Sequence, residues 1–143
     1  MVFFKNEAIS LDYCKPYLIM KIKKTSFTDL EIKQFSLVIK KFYKTKDNKG
    51  IPIKFGMIIY FEKFGVFKFR VMQQIGKIFS SLKEQAQKQL YGSSIILHTE
   101  LRHILKKILN MFKNDRPISF ATDIKEAKIQ INKYISENSF VVK

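Results

Sequence analysis

The stretch IKFGMIIYF, Ile53 to Phe61, limits the fold more than any other part of the chain. It is an apolar run interrupted only by Lys54 and rich in β-branched and aromatic residues. A strand sends successive side chains to opposite faces, so an apolar strand of this kind has to be covered on both. The run therefore predicts a central strand, buried on either side within an α/β domain.

The flanking segments supply the rest of the sheet and its cover. AISLDY, Ala8 to Tyr13, alternates apolar and polar residues as a half-buried strand does. Cys14-Lys15-Pro16 breaks it, and YLIMKIKK, Tyr17 to Lys24, reads as a second strand, which together predict an N-terminal hairpin. Thr28-Asp29-Leu30-Glu31 has the spacing of a capping box. Behind it Phe35, Val38, Ile39 and Phe42 make one apolar helical face, in a helix expected to end near Lys44. Asp47-Asn48-Lys49-Gly50 reads as a turn.

After the central strand the period changes. Val71, Ile75, Ile78, Phe79, Leu82 and Ala86 predict one long helix ending near Leu90, punctuated by Gly92. SSIIL, Ser93 to Leu97, reads as a short buried strand. Thr99 suits a cap, and Leu101, Ile104, Leu105, Ile108, Leu109 and Phe112 follow at helical spacing. ISF, Ile118 to Phe120, is a last short strand. Asp123 and Glu126 open a final helix whose apolar face is Ile124, Ala127, Ile131, Tyr134 and Ile135. Residues 139–143 read as a frayed tail. The expected order is β-β-α-β-α-β-α-β-α: a mixed, mostly parallel sheet with an N-terminal hairpin and about four helices, in one domain over residues 1–143.

This order is similar to that of the STAS domain, the fold of anti-anti-sigma factors, and of the wider SpoIIAA-like group. The stretch that carries the likeness is SSIILHTELRHILKKILNMFKNDRPISFATDIKEAKIQI, Ser93 to Ile131. It resembles the family's strand, amphipathic helix, short strand after a Pro-containing turn, and final helix opening with an acidic residue and an Ala. The resemblance implies a domain that docks other proteins. In the family, the loop after the central strand carries a Ser or Thr phosphorylated by a partner kinase. The matching stretch here, Glu62 to Lys68, contains no Ser, Thr or Tyr. The phosphorylation switch is therefore not carried over.

No motif points to catalysis. The chain has no G-x-S-x-G, no Gly-rich phosphate loop and no H-E-x-x-H. His98 and His103 are five residues apart and would diverge around a helix, so no metal site is read from them. Glu31, Glu62, Glu84, Glu100, Glu126 and Glu137 are scattered over separate elements. Cys14 has no evident base and reads as a buried or indifferent thiol; alone, it cannot form an internal disulfide, which suits a reducing compartment. MVFFKNEAIS has no long apolar h-region, and no run approaches the roughly 20 residues of a membrane span. The expectation is a soluble, intracellular (cytoplasmic) protein without enzymatic activity or cofactor.

The formal net charge of +15 points to an anionic partner. It has a plainer source in a Lys-rich composition, since Arg occurs only at Arg70, Arg102 and Arg116. Lys lacks the bidentate fork of Arg that reads phosphates and bases specifically. Two candidate surfaces follow. YFEKFGVFKFR, Tyr60 to Arg70, interleaves rings and cations, and most of its rings suit the core. Lys63, Phe64, Lys68, Phe69 and Arg70 are left as the expected partner-binding edge, where the family docks. The alternative is non-specific binding to nucleic acid or an anionic surface through Lys68, Arg70, Arg102, Lys106 and Lys107. A weaker third possibility is an apolar-ligand pocket between the sheet and the second helix.

Overall fold

The computed structural model describes residues 2–24, 26–61, 69–96 and 116–137. Their ten elements follow the order β1 (Val2–Lys5), β2 (Ile9–Cys14), β3 (Tyr17–Ile22), α1 (Asp29–Tyr43), β4 (Phe55–Phe61), α2 (Phe69–Ser81), α3 (Lys83–Gln89), β5 (Leu90–Ile96), β6 (Ile118–Ala121) and α4 (Ile124–Glu137). The six strands form one sheet in sequential order. β1, β2 and β3 pair antiparallel, and β3, β4, β5 and β6 pair parallel. The fold is thus α/β with a mixed sheet.

Local chemistry explains most element boundaries. Cys14 pairs with Tyr17 across Lys15-Pro16, which closes the expected hairpin. The capping box at α1 forms in full: the Glu31 backbone N–H donates to Thr28 Oγ1 at 3.1 Å, and the Thr28 N–H donates to Glu31 Oε1 at 2.9 Å. β4 is buried on both faces, as its apolar run requires. Asp123 opens α4, its Oδ1 accepting from the Glu126 N–H at 2.8 Å.

Four expectations need correction. The hairpin is a three-stranded antiparallel unit, because VFFK also pairs with β2 and becomes the β1 edge. The helix expected to run to about Leu90 is two helices. Leu82 leaves helical geometry (φ −108°, ψ 19°) and remains only 4% exposed, so the break keeps its side chain in the core while the chain redirects. β5 starts at Leu90 and not Ser93, which puts Gly92 inside the strand. Cys14 is exposed and not buried. The expected helix over Leu101–Phe112 and the expected tail at 139–143 lie outside the described residues.

The sheet has cover on both faces. Leu18, Met20 and Ile22 of β3 and Phe55, Met57, Ile59 and Phe61 of β4 join Phe35, Ile39, Phe42, Ile75, Ile78, Phe79 and Leu82 in the larger core. Ile19, Ile58, Ile96 and Ala121 meet Ala127 and Ile131 of α4 in the smaller one. The alternation of the strands sorts the side chains between the two.

Candidate functional site

Polar side chains in the interior are engaged by the fold itself. On the α4 face, Ser94 is fully buried and donates to Gln130 Oε1 at 2.6 Å. Ser119 Oγ donates to the same oxygen at 2.8 Å, and Gln130 Nε2 donates to the Phe120 carbonyl at 2.8 Å. This cluster zips α4 to β5 and β6 and leaves no unsatisfied partner to do chemistry, since a buried polar group is stable only when bonded.

The end of the sheet where β3, β4 and β5 begin is different. Residues 44–54 cross it between α1 and β4 and are tightly tied. Asp47 Oδ1 accepts from the Lys49 N–H at 2.8 Å and the Ile51 N–H at 3.0 Å. Asp47 N–H donates to the Ile51 carbonyl at 2.8 Å. Gly50 takes φ 75°, a region open to glycine without steric cost. Gln89 of α3, only 6% exposed, donates Nε2 to the carbonyls of Tyr43 at 2.9 Å and Ile53 at 3.0 Å, so it clamps both ends of the crossing.

Beside this crossing is an open cavity of about 380 Å³ lined by Tyr13, Lys15, Asp47, Ile51, Pro52, Ile53, Lys54 and Tyr91. A second, of about 280 Å³, is lined by Lys40, Tyr43, Lys44, Ser81, Leu82 and Gln85. Tyr13 sits edge-on to Phe42 with ring centroids 5.3 Å apart, and burial pushes its hydroxyl pKa up. Arg116 steadies the start of β5, donating Nε to the Leu90 carbonyl at 2.7 Å and Nη2 to the Tyr91 carbonyl at 3.3 Å. Lys15, Lys40, Lys44, Lys46, Lys49 and Lys54 are all exposed around this pole. Asp47 is the acidic residue lining the first cavity, and its Oδ1 is taken up by its own turn.

The expected site residues fall largely elsewhere. Lys63, Phe64, Lys68, Arg102, Lys106 and Lys107, with His98 and His103, lie outside the described residues. Phe69 and Arg70 open α2. The space between the sheet and α2 is filled by Ile75, Ile78 and Phe79. Among the described residues, no group of three or more His, Cys, Asp or Glu is placed to hold a metal, and no helix is long and apolar enough to cross a membrane. The lysine pole escaped sequence reasoning because Lys40 and Lys44 suit a helix C-terminus and Lys49 suits a turn. The run KTKDNKGIPIK, Lys44 to Lys54, was the available signal, with four lysines to one aspartate.

Comparison with known proteins brings no relative: no family model, no curated protein and no solved structure matches the chain.

Proposed function

We propose that the chain is a non-catalytic docking domain of STAS-like type that lacks the phosphorylation switch. The sequential strand order, with parallel strands behind an antiparallel N-terminal unit, supports the STAS-like part of the reading. The observation that carries the docking part is the outer face of α1. Leu30 and Leu37 are 64% and 69% exposed, the two most exposed large apolar side chains among the described residues. With Lys33 and Lys41 they form one helical stripe opposite the buried Phe35, Ile39 and Phe42.

Two leucines two turns apart, with lysines around them, fit an acidic protein surface with two apolar recesses. Ile22 pairs with Phe61, so the chain leaves β3 toward α1 and leaves β4 toward α2 at the same end of the sheet. Lys63, Phe64, Lys68, Phe69 and Arg70, the partner-binding edge expected from the sequence, follow β4 in the chain. Two exposed leucines are expendable for folding, so their replacement separates binding from stability.

The test is affinity capture from host extract, identification of the bound protein, and titration of that protein against wild type and a Leu30→Ser, Leu37→Ser variant. The expected result is about a tenfold or greater loss of affinity, as for hot-spot side chains, at an unchanged melting temperature. An unchanged affinity in the double variant overturns the reading. The alternative, binding of nucleic acid or an anionic surface, draws its support from other residues, the lysines of the opposite pole.

A further inference from the structure

We propose that the cavity lined by Tyr13 and Tyr91 takes one nucleotide unit of a single-stranded nucleic acid, its base against the tyrosine rings and its phosphate beside Lys15 and Lys54. The site is separate from the docking surface, whose exposed leucines lie on the outer face of α1.

Size is the first argument. About 380 Å³ falls in the range of small-ligand sites and suits one base with its sugar. Chemistry is the second. The lining combines two phenol rings, an apolar wall of Ile51, Pro52 and Ile53, and the ammonium groups of Lys15 and Lys54. A flat apolar ring joined to an anion satisfies all three, and that is a nucleotide. Rings that stack bases beside cations that pair with phosphates are the recurring means of holding single strands.

Continuity is the third argument. Lys44 and Lys40 line the neighbouring cavity, and Lys46 and Lys49 lie on the crossing itself, so phosphates of adjoining nucleotides meet further cations. A duplex keeps its bases stacked and paired and cannot place one in the cavity without unpairing it. Preorganisation is the fourth. Gln89 and the Asp47 turn hold the crossing from both sides, and the Phe42 contact holds the Tyr13 ring. Little ordering is left for the ligand to impose. Because the cations are lysines, binding is expected to depend on salt and to tolerate sequence.

The test is fluorescence anisotropy with a labelled oligothymidylate, a labelled duplex of equal length and a fluorescent mononucleotide. Each is titrated at roughly 50 and 200 mM salt, a span over which several phosphate contacts weaken binding by orders of magnitude. The variants are Lys15→Glu with Lys54→Glu, Tyr91→Ala, and a control pair, Lys125→Glu with Lys133→Glu, on the exposed side of α4. The cavity pair carries the same charge change as the control. It is expected to lose about tenfold more affinity for the single strand than the control does, and Tyr91→Ala to lose about tenfold as a lost stacking partner. Equal loss in both pairs overturns the proposal in favour of diffuse charge. A duplex bound as tightly as the single strand overturns it too, and a mononucleotide bound as tightly as the oligomer reassigns the cavity to a free nucleotide. Melting curves of every variant exclude loss of fold as the cause.

Discussion

The two faces of the sheet are closed by different means. On the side of α1, α2 and α3 the space is filled by volume. Phe42 is 1% exposed and meets Phe3, Tyr13 and Phe55 edge-on, with centroids 5.3, 5.3 and 4.8 Å apart. Phe35 meets Phe79 in the same way at 6.1 Å. On the side of α4 the space is made by removing side chains. A Cβ on Gly56 would stand inside contact distance of Ile131 Cγ2, and one on Gly92 inside contact distance of the Tyr134 ring. The helix approaches as closely as it does because those two positions are bare, and the Gln130 cluster then fixes its register. One face is limited by what is present, the other by what is absent.

Phe42→Ala offers the largest test. It should cost about 3–5 kcal/mol, the range for deleting a buried aromatic ring, measured as the shift in a urea unfolding curve. A much smaller loss would mean that the α1 face repacks freely and is not limited by volume.

Gly56→Ala asks the opposite question. One added methyl should cost about 1–3 kcal/mol through overpacking, and Ile131→Ala should then restore part of it in the double variant. Additive losses would show that close approach is not what holds α4.

Gln130→Leu keeps the volume and removes the hydrogen bonds. Leaving Ser94, Ser119 and the Phe120 carbonyl without their partner should cost about 1–3 kcal/mol. The effect should exceed that of Ser119→Ala alone.

The smallest effect lies at the entrance of α1. The Thr28 N–H bond, with help from Lys24 at 3.0 Å, holds the Glu31 carboxyl below the usual carboxylate range. A lowered folded-state pKa means that the unfolded chain binds more protons, so Glu31 stabilises at neutral pH. That contribution should fade once the pH drops into the ordinary carboxylate range and vanish below the folded-state value. Thr28→Ala should cost about 1 kcal/mol at neutral pH, and Glu31→Gln should flatten the acid limb of stability against pH.

The α1 face was legible in the chain because its determinants are local and periodic. Phe35, Ile39 and Phe42 repeat at helical spacing behind a capping box, and the apolar run from Phe55 to Phe61 announces a strand covered twice. The edge strand β1 was not legible. VFFK has no alternation, and it is a strand because β2 offers it a ladder. Nor was the break at Leu82, which has no proline or glycine within five residues on either side. Of the candidate site, the lysines of the Lys44–Lys54 run were visible but had local explanations. Tyr13 and Tyr91 are far apart in the chain and share a cavity through the pairing of β2 with β3, β3 with β4 and β4 with β5.

By itself the sequence determined the α/β class, the central strand, the hairpin and the capped first helix, since period and capping act within a few residues. It also determined a large positive charge. Tertiary structure decided which of the described lysines meet beside the tyrosine cavity, which strand becomes an edge, and why Gly56, Gly92, Ser94, Gln89 and Gln130 are what they are. Their roles depend on atoms brought close from distant parts of the chain, and sequence spacing carries no record of that proximity.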